Sequence, residues 1–469
     1  MKFDILCTEP DNDKVRVRKF VYDNMTSEIF DENQNLIDVT QVFEKAIKKD
    51  YSKFKKVKTV SKETPLGKSD IKLLKIQLGL SCNYGCEYCS QRFVPSEDET
   101  SSKHVDKFVK NLDLWIKEPV EWVEFWGGEP LIYIKTLKPL AEQLREKWPE
   151  VKFKIITNGS LLNKELNEWL ENMGFHVGIS HDGPGQAVRG PDPLEDRKTR
   201  QAILDLFYRL VDKNRISFNS MIHRENMDRK KIQEFFENLL GGQYVRIGEG
   251  GFIDAYDEGG LSNALQNRDE HLAFRRITMQ QLREGEIQKF NITRQRLFEW
   301  LETFAFHRPA DIIGQKCGMD NEHTIAVDLR GNVLTCQNVS AISTAPNGKP
   351  HRIGHVSKLD DVKLNTSTHW SFRKECMGCP VLQGCKGACM FLEDKLFKVS
   401  CDNAYSDHLP FFAGAFEMAT GCMPFGIIAH DKSLPDDRSD LWGPLDYEVK
   451  LPETRVAYEK NLESGNTVY

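Results

Sequence analysis

The chain lacks several features, and each absence excludes a class of protein. None of its 469 residues falls in an uninterrupted apolar run of about 18, the length a membrane-spanning helix needs, so no span is expected. The N-terminus, Met1-Lys2-Phe3-Asp4, lacks the basic-then-apolar pattern of a secretory signal. Positive charge is not in excess: 64 Lys and Arg stand against 70 Asp and Glu, for a formal net charge of -6. A wholesale nucleic-acid binder would carry a basic surface instead. No internal repeat or low-complexity segment breaks the sequence, and 40% hydrophobic residues are enough for a sizeable core. A cytoplasmic protein of two or three domains follows as the expectation. Cysteine, by contrast, is plentiful. Twelve cysteines in a reducing compartment are not expected to form disulfides. Cys7 and Cys422 stand alone, and the other ten fall into a group of three and a group of seven. Clustered cytosolic cysteine reads as metal binding first and as inert buried thiol second.

Residues 1–70 form an N-terminal segment. Val15–Tyr22 alternates as a strand, Asp31–Asn35 reads as a turn, and a short helix is expected around Val42–Lys49. The Lys-rich stretch from Lys45 to Lys62 reads as a solvated linker, or as a docking surface for an acidic peptide. From about residue 71 strands and helices alternate. Strands are expected at Ile71–Leu78, Val120–Trp126, Val151–Ile156 and Phe175–Ser180, with further candidates at Arg215–Ile222 and Gln243–Arg246. Helices are expected at Leu137–Lys147 and Lys164–Met173, and residues 265–306 read as largely helical. This order predicts a parallel sheet with ligands bound at the strand C-termini. Four polar motifs follow four of the strands: the first cysteine group, Gly127-Gly128-Glu129-Pro130, Thr157-Asn158-Gly159, and His181-Asp182-Gly183-Pro184.

The first group is Cys82-x3-Cys86-x2-Cys89. Three thiolates so close can hold three irons of a 4Fe–4S cube, leaving one iron without a protein ligand; structural zinc is the alternative. Together with Gly127-Gly128-Glu129-Pro130 at the end of the next strand, this motif resembles that of the radical S-adenosylmethionine (SAM) enzymes. The resemblance implies that Cys82, Cys86 and Cys89 ligate the cluster, and that SAM chelates its open iron. It implies that the Tyr88 backbone meets the adenine, that Gly127, Gly128 and Pro130 shape the backbone beside SAM, and that Glu129 accepts from the SAM ammonium. Ser180 and Asp182 resemble ribose-holding positions, and Asn158 belongs to a third SAM-binding motif.

The second group runs Cys317, thirteen residues, Gly331, four residues, Cys336; then Cys376-x2-Cys379-x5-Cys385-x3-Cys389; then Cys401. Only Cys376/Cys379 fits a zinc knuckle. The order resembles the SPASM domain, a C-terminal extension in a branch of radical SAM enzymes that modifies peptides and proteins. That resemblance implies two auxiliary 4Fe–4S clusters, the nearer on Cys317, Cys336 and Cys389, the farther on Cys376, Cys379, Cys385 and Cys401. Some relatives supply a fourth cysteine to the nearer cluster just after the first SPASM cysteine. This chain has none there, which leaves an open iron, or Cys422, Asp320 or His323 as ligand. Sulfatase-maturing relatives carry an acidic residue directly after the second SPASM cysteine; here it is Gln337, a poor base, and His181 or His323 are substitutes.

The fold expected is α/β: a partial parallel (β/α)6-type radical SAM barrel over residues 71–306, a small SPASM domain over 307–410, and an extension over 411–469. Many peptide-modifying relatives carry a winged-helix module that grips a leader peptide; residues 1–70 begin with strands but are too short and helix-poor for it. The expected cofactors are SAM and three 4Fe–4S clusters, and the expected partners are a precursor peptide and an electron donor such as flavodoxin or ferredoxin. The expected reaction is hydrogen abstraction from a ribosomally made peptide, leading to an oxidative thioether, C–C or C–O cross-link. Maturation of an intact protein such as a sulfatase is the alternative, and an iron–sulfur or zinc module without catalysis is the third reading.

Overall fold

The alternation of strand and helix in the sequence is realised in the computed structural model. It describes residues 1–11, 14–43, 51–53, 66–97, 99–242, 247–285, 287, 291–345, 348–364, 368–431 and 434–443. Six parallel strands, Leu73–Gln77, Trp122–Trp126, Lys152–Thr157, Phe175–Ser180, Ile216–Ile222 and Ile247–Phe252, lie side by side in chain order. The first five place apolar residues such as Ile76, Val123, Ile155, Val177 and Phe218 in the core, while the sixth holds three glycines. Phe125, Phe153 and Phe175 meet across three neighbouring strands with ring centroids 5.3–5.6 Å apart. The intervening helices start at side-chain caps. Asn163, Asp196 and Asp228 each accept a backbone N–H in the first turn, which satisfies donors the helix itself cannot pair. Helix Ile134–Lys147 presents Leu137, Leu140 and Leu144 to the sheet, all fully buried. Each such burial contributes about 1.5–3 kcal/mol.

The sheet does not end with the barrel. Thr324–Asp328 pairs in parallel with the first barrel strand, Leu73 opposite Thr324, and the antiparallel strands Asn332–Leu334 and Arg352–His355 follow. The cysteine-rich region is thus joined to the barrel by one nine-stranded sheet. The sixth strand is Ile247–Phe252; the stretch Gln243–Arg246 lies outside the described residues.

The N-terminal strands Lys2–Asp11, Lys14–Asp23 and Ile29–Phe30 form an antiparallel sheet completed by Met423–Ala429, Phe3 facing Ala429. Asp31 accepts from the backbone of Asn33 and Asn35, closing the expected turn. The N-terminal strands and the late strand Met423–Ala429 therefore share one core. Helix Asp394–Thr420 runs straight through position 410, so no boundary falls there. Phe411, Phe412 and Phe416 are fully buried and pack with Trp300, Phe304 and Tyr22, so this stretch is core. The helix expected at Val42–Lys49 and the lysines from Lys45 to Lys62 fall almost entirely outside the described residues; before them a 3-10 turn spans Val39–Val42. Among the described residues no helix is long and apolar enough to cross a membrane.

Candidate active site

Strand ends converge on a cavity of about 690 Å³. Cys82, Cys86 and Cys89 line it, with Tyr88, Gly127, Gly128, Glu129, Asn158 and Ser180 from the strand ends. The cysteine loop is held from outside the motif. Glu99 Oε1 accepts the N–H groups of Leu80 (2.6 Å) and Ser81 (3.1 Å). The Tyr133 hydroxyl accepts from Ser81 N–H (2.7 Å) and donates to Glu99 Oε2 (2.8 Å). Cys82 and Cys89 each receive a backbone N–H at 3.4 Å, from Tyr84 and Gln91. Burial pushes the Cys86 thiol up to about 11, and neighbouring Cys89 and Cys82 push the same way against Arg189. Three thiols on one short loop, Cys82 exposed and Cys86 and Cys89 half-buried, are a donor set that cationic iron would satisfy. Among the described residues no three Cys, His, Asp or Glu side chains converge on a single metal ion. In a cubane each thiolate takes a different iron, so the two geometries differ.

Gly128 sits where a Cβ would overlap the carbonyl oxygens of Leu80 and Ser81, so the absent side chain lets the two loops touch. Glu129 is almost wholly buried. Its Oε1 accepts from Leu131 N–H (3.0 Å) and the Thr157 hydroxyl (2.8 Å), and its Oε2 from Asn158 N–H (2.7 Å). Burial raises its carboxyl above the usual range despite those donors. Three of about four acceptor positions are taken, which ties the Gly-Gly-Glu-Pro turn to the next strand and leaves one for a ligand ammonium. Pro130 opens the 3-10 turn that follows and does not line the cavity.

Asp182 is placed differently from Ser180. It is fully buried, its carboxylate accepts from the Tyr88 hydroxyl and from Met221 N–H (2.9 Å), and it does not line the cavity. Arg189 stands beside it, 3.6 Å from Asp182 Oδ1 and 2.8 Å from the Tyr88 oxygen, and does line the cavity. Asn219 was equally silent in sequence. Its amide fills space that a Cβ at Gly178 or Gly248 would occupy, between strands Phe175–Ser180 and Ile247–Phe252. His181 lies away from the cavity, 2.9 Å from Asp192 and receiving Gly183 N–H.

The seven C-terminal cysteines separate into two neighbourhoods. Burial, then Cys389 and Cys317, push the Cys336 thiol up to about 12. Burial pushes Cys385 up to about 12 as well, with Cys379 and Cys401 adding to it. Cys376, Cys379, Cys385 and Cys401 line one small pocket, and the Arg438 guanidinium donates to Cys401 Sγ at 3.2 Å. Both sets fit a cationic cluster for the same reason as the first. The spare side chains are engaged elsewhere. Cys422 is buried beside Cys7 in the core under the N-terminal sheet. Asp320 accepts from Gln315 N–H (2.7 Å) and lies 3.1 Å from His369. His323 contacts the carbonyl oxygens of Ser69 and Asp70. Gln337 is drawn to Lys75 (3.5 Å) and is absent from the cavity lining. Asp254, Tyr256, Lys316 and Asn338 line the cavity instead, and Tyr256 is hydrogen-bonded to Cys389.

Residues 76–236 match the family model described as the radical SAM superfamily, and this part of the chain is a radical SAM domain. The radical SAM cyclopropyl synthase TigE of Paramaledivibacter caminithermalis is 26% identical over 186 residues, 36% of this chain and 39% of that protein. The serine-type anaerobic sulfatase-maturating enzyme of Bacteroides thetaiotaomicron is 29% identical over 121 residues, 23% of this chain and 28% of that one. The chain thus spans less than half the length of these curated relatives. Among solved structures, native anSMEcpe with bound AdoMet and Cp18Cys peptide superposes with a TM-score of 0.52 at 19% identity, over 74% of this chain and 98% of that one. That likeness establishes the α/β fold.

Proposed function

We propose that the chain is a radical SAM/SPASM maturase that forms an oxidative cross-link in a ribosomally made peptide. The observation that carries the reading is one cavity with the Cys82/Cys86/Cys89 loop on its wall, together with residues that adjoin the Cys317/Cys336/Cys389 neighbourhood. When bound, a 4Fe–4S cluster with SAM supplies a 5′-deoxyadenosyl radical that takes a hydrogen atom from an unactivated C–H bond. Cys82, Cys86 and Cys89 would hold the cluster. Glu129 would receive the SAM ammonium in its remaining acceptor position, and Arg189 stands where a carboxylate would pair with it. Ser180 and Asn158 offer polar groups to the ribose and adenine, while Asp182 fixes Tyr88 and Arg189. A cross-link removes two hydrogens from the peptide, and its second electron needs an outlet. Cys317, Cys336 and Cys389 would hold a nearer auxiliary cluster as that outlet, with Cys376, Cys379, Cys385 and Cys401 holding a farther one. A flavodoxin or ferredoxin would deliver the first electron.

The test is to look for a short open reading frame adjoining the gene and co-express it under anaerobic conditions; absence of one counts against the reading. Mass loss of two hydrogens from the peptide, absent from a Cys82/Cys86/Cys89→Ala variant, is the expected result. Sulfatase maturation is the second reading, favoured by the similarity to a sulfatase-maturating enzyme. It predicts an aldehyde on a sulfatase-derived Ser or Cys peptide and no change in the neighbouring peptide.

A further inference from the structure

We propose that Asp254 is the proton acceptor in the bond-forming half of the reaction. The inference rests on the peptide-maturase reading above and names a residue for it. Two carboxylates line the cavity among its described residues, Glu129 and Asp254. Glu129 already accepts three hydrogen bonds. Asp254 follows the sixth barrel strand, Ile247–Phe252, by two residues, and its side chain is 13% exposed, toward the cavity. Its partner is Lys316, with Nζ at 3.5 Å from Oδ2, and Lys316 lines the same cavity. That leaves acceptor capacity on the carboxylate. Gln337 stands where sulfatase-maturing relatives carry an acid, with His181 and His323 as the substitute bases the sequence offers, and none of the three lines the cavity.

The balance is as follows. Hydrogen abstraction leaves a carbon radical on the peptide. When that carbon closes onto a neighbouring X–H group, with X sulfur, oxygen or carbon, the new C–X bond forms and the X–H bond breaks. One proton and one electron are released. The proton goes to the Asp254 carboxylate. The electron would pass to a one-electron oxidant of the iron–sulfur class, which Cys317, Cys336 and Cys389 would hold.

The test uses the anaerobically reconstituted full chain, dithionite, SAM and a synthetic copy of the peptide that co-expression shows to be dehydrogenated. Asp254→Asn is expected to keep wild-type iron content, electron paramagnetic resonance signals and 5′-deoxyadenosine formation. Dehydrogenated peptide should form about a hundredfold more slowly or worse, with partial recovery in Asp254→Glu. Product formation by Asp254→Asn at the wild-type rate overturns the proposal. Loss of about four irons, or a changed auxiliary signal, makes Asp254 a cluster ligand and also overturns it. Equal loss of 5′-deoxyadenosine and product places Asp254 in SAM cleavage, with the same consequence. Wild-type enzyme that makes 5′-deoxyadenosine but never dehydrogenates the peptide removes the maturase reading, and this proposal with it.

Discussion

Single atoms decide the geometry of the cysteine loop. A methyl group on Gly128 would overlap two backbone carbonyls, Leu80 and Ser81, which cannot rotate away as a side chain could. Gly85 lies in the same loop with nothing within 4 Å of its Cβ position. Gly128→Ala should therefore lower stability by about 1–3 kcal/mol, the usual cost of overpacking, while Gly85→Ala stays within about 0.5 kcal/mol. Urea midpoints of the two variants beside wild type check this, and equal midpoints would mean that the loops are not in contact. The glycines, Glu129 and all ten clustered cysteines were legible because their chemistry is local: a spacing, a missing Cβ, a strand end. Glu99, Tyr133, Arg189 and Asn219 were not, because an acid, a phenol, a guanidinium or an amide gives no signal until the fold brings its partner near. Asp182 shows the converse. Its position was readable, yet its carboxylate is spent on Tyr88 and Met221 rather than turned to the cavity.

Helix Asp394–Thr420 gives the same lesson one level up. Pro410 within it deletes a helical hydrogen bond, yet the helix continues through the boundary expected at 410. Burial on nearly every side holds the helix together instead. Its register is pinned by Asp407, whose Oδ1 accepts from Arg229 at 2.6 Å and Oδ2 from Arg296 at 2.7 Å. Burial works against the Asp407 charge, and the two guanidiniums outweigh it, so its carboxyl lies far below the usual range. Asp407→Asn removes the buried carboxylate that Arg229 and Arg296 share and should cost about 3–5 kcal/mol. A depressed folded-state value means that the Asp407 contribution is fully present above about pH 4 and shrinks as pH falls further, when the unfolded chain takes up a proton that the folded one refuses. The gap between wild type and variant in chemical denaturation should be constant from pH 8 to about 5 and narrow below 4. A gap that widens on acidification would show that Asp407 is not ionised in the fold. Five barrel strands could be read from local pattern; the sixth, Ile247–Phe252, carries three glycines and little apolar signal, and Thr324–Asp328 and Met423–Ala429 are each defined by a partner strand far away in sequence.

At the scale of the whole molecule, three groups of thiols sit on separate supports. The first rides a loop of the barrel. The second joins the strand region around Cys336 to Cys317 and Cys389. The third includes Cys401, on the long helix that also carries the N-terminal sheet. If each group holds one 4Fe–4S cluster, anaerobically purified protein should contain about twelve irons. The Cys82/Cys86/Cys89→Ala variant should keep about eight and remain folded, because the barrel core does not depend on that loop. Replacing Cys376, Cys379, Cys385 and Cys401 by Ala should also remove about four irons, but with a different consequence. Metal binding there is folding energy, and the helix it anchors shares a core with the N-terminal strands and Met423–Ala429. That variant should melt well below wild type, while the loop variant melts close to it. Iron assay beside thermal melting separates the cases. About four irons in wild type, with zinc bound at the C-terminal cysteines, would remove the auxiliary clusters and the electron outlet that an oxidative cross-link requires.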